Sequence, residues 1–179
     1  MAGNKWEYAL HPCSGPECAE TLSLIGAASF LENFAGFLPG EDVLAHCRNQ
    51  HSRAKYESWL AASETRACLA EVRGAPVGYA LLCAPDLPVR TTPDDIELKR
   101  IYLLHRFQGS GVGAALMDWS IGTARALGKR RLILGVHEGN EKALAFYRQH
   151  GFTDAGTRSF QVGQTICSDL ILALAVSAR

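Results

Sequence analysis

The sequence predicts a mixed α/β fold, with one sheet and helices packed on its faces. Short apolar segments of strand length alternate with segments of helical periodicity through the middle of the chain. A glycine-rich turn at residues 108–113 joins one such strand to one such helix. No internal repeat, low-complexity tract or linker interrupts the 179 residues, so we expect a single domain over 1–179.

The first third of the chain predicts one strand and two helices. Alternating apolar and polar side chains predict a strand over residues 6–11, which proline and glycine then end. Apolar residues spaced by three and four predict a helix over 17–37, stopped by Pro39-Gly40. Two acidic residues then suit the first turn of a second helix, predicted over 41–62.

The rest of the chain predicts six strands and two helices. The strands are expected at residues 67–72, 77–82, 96–104, 131–136, 153–162 and 165–175. The helices are expected at 112–127 and from 140 or 141 to 150, each followed by a glycine that suits the left-handed position beyond a helix end. The predicted order is therefore β-α-α-β-β-β-α-β-α-β-β.

Composition excludes several partner classes. Eighteen Lys and Arg balance eighteen Asp and Glu, so the broad basic surface of a nucleic-acid-binding protein is not expected. No apolar run approaches the roughly 20 residues that a membrane span needs, and we expect a cytoplasmic protein with no membrane contact. The six cysteines form no Cys-x-x-Cys pair and are expected to be free thiols, and no metal site is expected because His11, Cys13 and Cys18 lack a usual zinc spacing.

The glycine-rich turn predicts an anion-binding loop. Three glycines in six residues, at a junction of strand and helix, let another group approach the backbone closely and leave N–H groups free to bind it. A pyrophosphate is the ligand that this geometry suits best. A glycine string alone is a weak signal, so its neighbours decide the interpretation.

Three spaced segments resemble the GNAT superfamily of N-acyltransferases. They are Glu97-Leu98-Lys99-Arg100-Ile101-Tyr102-Leu103, Gln108-x-x-Gly111-x-Gly113, and Asn140-x-x-Ala143-x-x-Phe146-Tyr147-x-x-x-Gly151-Phe152. The resemblance implies a GNAT-like fold and transfer of the acetyl group of acetyl-CoA to a primary amine, by direct attack in a ternary complex. It also implies no metal.

The resemblance implies two sets of cofactor-binding residues. The strand before the loop would hold the pantetheine arm through its backbone, and the loop and the following helix would hold the pyrophosphate. The residues so implied are Ile101, Tyr102, Leu103, Gln108, Gly109, Ser110, Gly111, Val112, Gly113 and Asn140. The loop departs from the commonest family pattern in having Gln108 where arginine is frequent, which removes a positive charge from the phosphate site.

Two residues match catalytic positions of the family. Tyr147 would donate a proton to the departing thiolate, and the alternative is an aromatic ring packed in the core. Glu97 would accept a proton from the amine through water, and the alternative is a salt-bridged strand residue beside two cations. Asn140 has two compatible interpretations, a helix N-cap and a donor to the pantetheine amides.

The acceptor is not determined by the sequence. The strand and loop resemble the bacterial small-amine or polyamine branch more than the branch that acetylates ribosomal protein N-termini, and a protein N-terminal or lysine amine is the alternative acceptor. A non-catalytic acyl-CoA-binding module is the alternative function, and a homodimer is possible. Candidate acceptor residues are the aromatic Phe34, Phe37, Tyr56 and Trp59 and the acidic Glu32, Glu41 and Asp42, all equally explained by helix packing and helix-dipole charge.

Overall fold

A computed structural model describes residues 6–176, in which seven strands form one sheet and five helices cover it. The strands follow the spatial order β1-β2-β3-β4-β5-β7-β6. The elements along the chain are β1 (Ala9–Cys13), α1 (Pro16–Phe34), α2 (Gly40–Gln50), α3 (Arg53–Leu60), β2 (Arg66–Val72), β3 (Ala75–Cys83), β4 (Asp95–Leu103), α4 (Val112–Ala126), β5 (Arg131–His137), α5 (Glu141–Gln149), β6 (Thr153–Val162) and β7 (Thr165–Ala175). The predicted mixed α/β class is confirmed.

The junction of β4 and β5 is the parallel pairing in a sheet whose other pairings are antiparallel. The two strands pair over three residues each, 95–97 with 131–133, and then diverge. Beyond that point β5 continues beside β7 alone, and β4 continues beside β3 alone. The divergence opens a wedge in the middle of the sheet.

A β-bulge lies in β4 where the wedge begins. Arg100 pairs with Leu81 and Leu98 pairs with Leu82, so Lys99 is an extra residue on β4. Past the bulge, Leu104 N donates to Val77 O at 2.9 Å. Because hydrogen-bonded pairs alternate along an antiparallel ladder, the backbone groups of residues 101 and 103 point away from β3 and into the wedge.

The helices lie on opposite faces of the sheet. α4 and α5 pack on one face, where Leu116, Met117 and Leu144 join the largest apolar cluster. α1 and α3 pack on the other face, where Leu22 and Tyr56 join a second cluster. Side chains from the helices on both faces of the sheet can therefore contact a ligand in the wedge.

The predicted second helix is wrong as a single element. It divides into α2 and α3 at His51 and Ser52, where the Ser52 hydroxyl accepts a hydrogen bond from Lys55 N at 3.3 Å and starts a new helix. The spacing of the apolar residues within the predicted helix does not indicate this cap. The other predicted elements are present with ends shifted by a few residues, which is the usual uncertainty of helix and strand boundaries.

The expectation of six free thiols is wrong for two of them. Cys13 at the end of β1 and Cys18 in the first turn of α1 form a disulfide five residues apart in sequence. The four other cysteines, Cys47, Cys68, Cys83 and Cys167, are free. Cys13 and Cys18 both lie close to Gly15, where the chain reverses direction. This turn brings the two residues together, and a search for Cys-x-x-Cys does not detect their proximity.

An ion pair joins β4 and β5 at the closed end of the wedge. Arg131 Nε donates to Asp95 Oδ1 at 2.9 Å and Arg131 Nη2 donates to Asp95 Oδ2 at 2.8 Å. Asp95 is buried, and these hydrogen bonds hold the pKa of its carboxyl below the usual value. A bidentate pair of this kind fixes the register of a parallel pairing that has few other bonds.

We expect Asp95→Asn to lower the free energy of unfolding by about 1.5–3 kcal/mol at pH 7, the range for hydrogen bonds to charged groups. Because the folded state lowers the Asp95 pKa, the wild-type contribution is complete above about pH 4 and is lost as the pH falls below it. Urea unfolding at pH 7 and pH 3.5 measures both effects. Asp118→Asn on the exposed face of α4 is the matched control, and equal losses at pH 7 in the two variants would contradict the role of the ion pair.

Candidate active site

The wedge between β4 and β5 opens into a cavity of about 480 Å³. One part of its lining comes from β4, α5 and the residues around the start of α4, and the other part comes from α1, α2, β6 and β7. Because these helices lie on opposite faces of the sheet, the cavity connects the two faces through the wedge. Two molecules could therefore meet there from opposite sides.

The glycine loop, residues 108–113, lies at the start of α4. Gly109 and Gly111 adopt positive φ angles of 72° and 86°, which only glycine adopts without strain. No side chain caps the first turn of this 15-residue helix within the described part of the chain, so its N–H groups face the cavity mouth unpartnered by side chains. The arrangement suits a bound anion.

Gln108 connects the loop to both β4 and α5. Its Nε2 donates to Leu103 O at 3.3 Å, and its Oε1 accepts from Lys142 Nζ at 2.6 Å. Lys142 also lines the cavity. The positive charge that the glutamine lacks is thus supplied from α5, by a residue that the sequence motifs did not identify.

Asn140 and Tyr147 lie at opposite ends of α5. Asn140 Oδ1 accepts from Ala143 N at 3.1 Å, which makes it the N-cap of this helix, and the residue also lines the cavity. Tyr147 lines the cavity too, with 8% of its surface exposed. Burial raises the pKa of the Tyr147 phenol, so it stays protonated at neutral pH.

Glu97 is not part of the cavity lining. The residue is 2% exposed, and its carboxylate accepts from Asp86 N at 2.7 Å and pairs with Lys99 Nζ at 3.2 Å. Lys99 does line the cavity, and it contacts Glu97 from the cavity side. The structure thus brings Tyr147, Asn140 and the glycine loop together, whereas Glu97 lies behind Lys99.

The opposite side of the cavity has an aromatic wall. Phe30 stacks on Phe34 with ring centroids 4.4 Å apart and on His46 at 4.1 Å. His46 meets the edge of Phe160 at 5.6 Å. Burial and the Arg100 charge lower the pKa of His46 to about 4, so its ring is neutral at pH 7.

Three charged residues complete this side. Arg158 donates from Nε and Nη2 to Asp169 Oδ2 at 3.0 and 2.9 Å, and Arg100 projects from β4 beyond the bulge. We call this part of the cavity the aromatic chamber. It comprises Phe30, Phe34, His46, Phe160, Arg100, Arg158 and Asp169.

Gly135 on β5 makes room for Arg158. A Cβ atom at this glycine would lie 2.9 Å from Arg158 Nη2, so the guanidinium crosses close over the strand at this position and would have to shift for any larger residue. This close approach could have been suspected from a glycine inside a strand, but the sequence does not say which side chain fills the space.

The sequence-predicted acceptor residues divide into two groups. Phe34 lines the cavity, and the exposed Phe37 packs against the cavity residue His137 with centroids 5.5 Å apart. The other candidates lie outside the lining. Tyr56 and Trp59 lie on α3 and pack in the cluster between α1, α3 and the sheet, Glu32 accepts from His105 N, Asp42 accepts from Gln164 N and Thr165 N, and Glu41 is exposed.

Neither a metal-binding cluster nor a membrane-spanning helix is present in residues 6–176. Within residues 6–176, no group of three or more His, Cys, Asp and Glu side chains is placed to hold a metal ion. In the same part of the chain, no helix combines the length and the apolar character needed to cross a membrane.

Residues 28–152 match the acetyltransferase (GNAT) family model. An uncharacterized N-acetyltransferase of Mycobacterium tuberculosis is 30% identical to this chain over 154 residues, covering 86% of this chain and 95% of that protein. An uncharacterized N-acetyltransferase of Lactobacillus delbrueckii subsp. lactis is 28% identical over 149 residues, covering 83% of this chain and 86% of that protein.

Solved structures share the fold. PaiA N-acetyltransferase from Thermoplasma acidophilum, in complex with coenzyme A, superposes with a TM-score of 0.75 at 20% identity, covering 94% of this chain and 99% of that one.

We expect Gly111→Val to weaken the binding of CoA by more than about tenfold, or 1.4 kcal/mol, because a β-branched side chain disfavours the left-handed backbone and fills the anion site. Isothermal titration calorimetry measures the change. Gly74→Val, at φ 76° in the turn between β2 and β3, imposes similar strain outside the cavity and is the control. Unchanged CoA binding by the Gly111 variant would show that the loop is not the pyrophosphate site.

Proposed function

We propose that this chain, which belongs to the acetyltransferase (GNAT) family, transfers the acetyl group of acetyl-CoA directly to the primary amine of a small molecule within a ternary complex. As a member of the family it is an acetyl-CoA-dependent N-acyltransferase. The observation that carries the finer proposal is the cavity through the wedge, which is lined from both faces of the sheet. Donor and acceptor can then occupy it together.

The residues on the α4 side fit acetyl-CoA. The glycine loop and the open end of α4 would bind the pyrophosphate, with Lys142 adding a positive charge. The backbone of Ile101 and Leu103 would pair with the pantetheine arm as a strand edge pairs with an added strand, and Asn140 can donate from the amide nitrogen that the N-cap does not use. When bound, acetyl-CoA supplies a thioester as the acyl donor.

The protein's contribution to the chemistry is to orient the reactants and move protons. The new bond joins the amine nitrogen to the acetyl carbon, the carbon–sulfur bond breaks, and the departing sulfur needs a proton. Tyr147 is the proposed donor, because its phenol is protonated at neutral pH and faces the cavity.

Direct attack is favoured over a covalent acyl-enzyme. Cys167 is the cysteine that lines the cavity in the described residues, and burial raises the pKa of its thiol. A thiol kept neutral is a poor nucleophile, and among residues 6–176 no base lies within hydrogen-bonding distance of it. The amine itself is therefore the proposed nucleophile.

We propose that Glu97 acts as a base without contacting the amine directly. Its carboxylate contacts Lys99, and Lys99 reaches the cavity, so a proton from the amine would travel through Lys99 or a water molecule. The alternative role is structural, because the same carboxylate accepts a hydrogen bond from Asp86 N in the loop between β3 and β4. The two roles differ in their effect on the pH profile.

We expect Tyr147→Phe to lower kcat by about 100-fold or more, the lower end of the range for general acid–base catalysis, while CoA binding changes little. Steady-state release of CoA and calorimetry separate the two effects. Tyr8→Phe, outside the cavity, is the control. Unchanged kcat in the Tyr147 variant would remove this phenol from the mechanism.

We expect Glu97→Gln to flatten the rise of kcat/KM with increasing pH, because an amide in place of the carboxylate cannot accept the proton that the amine must lose before it attacks. The profile is measured between about pH 6 and about pH 9, the range in which α-amino groups lose their protons. Glu41→Gln, exposed on α2, is the control. A profile of unaltered shape would assign Glu97 to structure alone.

A further inference from the structure

We propose that the acceptor is a free amino acid with an apolar side chain, held as a zwitterion in the aromatic chamber. The inference rests on the proposed function and names the substrate class of the same site. Three features of the chamber carry it: covered aromatic faces, a guanidinium without a carboxylate partner, and a carboxylate oxygen left open.

The aromatic wall favours an apolar group over a cation. A cation binds an aromatic ring through its face. The face of Phe160 is covered by the Arg158 guanidinium at 4.8 Å, and the ring of Phe30 is stacked with both His46 and Phe34. What the wall offers to a ligand is mainly ring edges and apolar contact, as an aliphatic or aromatic side chain requires.

Arg100 provides a charge that needs a counterion. No carboxylate of residues 6–176 lies within ion-pair distance of its guanidinium, whose Nη1 donates to Lys99 O at 3.0 Å and whose Nε is buried without a hydrogen-bond partner. It lies over the rings of Trp59 at 5.3 Å and Tyr102 at 5.9 Å, which fix its position. Because an unneutralised charge in such surroundings is costly, a ligand carboxylate there would be stabilised.

Asp169 provides the opposite contact. It is 4% exposed, and Arg158 occupies one of its oxygens, Oδ2, with two hydrogen bonds. Oδ1 accepts no hydrogen bond from the residues that the structure describes, so it can accept one from an amine. The chamber thus combines an acceptor for the amino group with a counterion for the carboxylate.

The charge balance argues against a polyamine. Two guanidinium groups, Arg100 and Arg158, stand against one carboxylate, Asp169, and the low pKa of His46 keeps that ring neutral. A second ammonium group would enter a site with an excess of positive charge. The cavity of about 480 Å³ must also hold part of the acetyl donor, so the acceptor is a small molecule.

Matched substrates test the proposal on the unaltered protein. L-phenylalanine and L-leucine are each compared with their amides, which keep the amine and the side chain but remove the carboxylate charge, and spermidine is measured alongside. With saturating acetyl-CoA, we expect kcat/KM for each acid to exceed that for its amide by about tenfold or more, since a charged hydrogen bond is lost in the amide. Spermidine should be poorer than either acid. Amides or spermidine turned over as well as the acids would overturn the proposal.

An arginine variant locates the carboxylate contact. Arg100→Met should reduce the ratio of acid to amide kcat/KM to near one, whereas Arg53→Met on the exposed part of α3 should keep the ratio of the unaltered protein. The readout is a ratio within one preparation, so partial loss of folded protein does not affect it. A ratio unchanged in a folded Arg100 variant would contradict the assignment of Arg100. If that variant does not fold, the comparison of acids with amides decides.

The failure of this proposal differs from the failure of the proposed function. CoA that raises the melting temperature, together with no acetylation of any of these amines, would overturn the amino-acid class and leave the transferase intact. CoA that neither binds nor stabilises the protein would instead contradict the proposed function itself.

Discussion

The site depends on one constraint, the divergence of two parallel strands after three paired residues. Because β4 leaves β5 at residue 97, the backbone of Ile101 and Leu103 has no partner strand on the wedge side. Gln108 Nε2 donates to Leu103 O, and the other backbone groups on this side suit pairing with an extended ligand. The Asp95–Arg131 pair, in which Asp95 is buried, keeps the other end closed, and the bulge at Lys99 sets the register of the open part.

The same divergence separates two chemical environments. On the side of α4, glycines with positive φ and an uncapped helix end suit phosphate groups. On the side of α1, aromatic rings, two guanidinium groups and one carboxylate suit a small organic acceptor. Tyr147 lies on the first side and reaches the shared cavity, so a donor and an acceptor approaching from opposite faces would meet near it.

Local features of the site could be predicted from the sequence. The glycine loop, the cap at Asn140 and the position of Tyr147 on α5 follow from spacing within one segment, and the structure places all three at one cavity. The aromatic chamber could not be predicted in this way, because it depends on the register of β6 against β7 and on the packing of α1 and α2 against them. Arg158 meets Asp169 since the two residues are opposite in that hairpin, and no short motif encodes such a pairing.

Residue-resolved amide hydrogen exchange with and without CoA shows whether the backbone of β4 binds the cosubstrate inside the wedge. We expect CoA to slow exchange at Ile101 and Leu103, whereas Tyr102, whose amide faces β3, should change less. Saturating CoA that protected other amides and left Ile101 and Leu103 unchanged would show that this strand does not bind the cosubstrate.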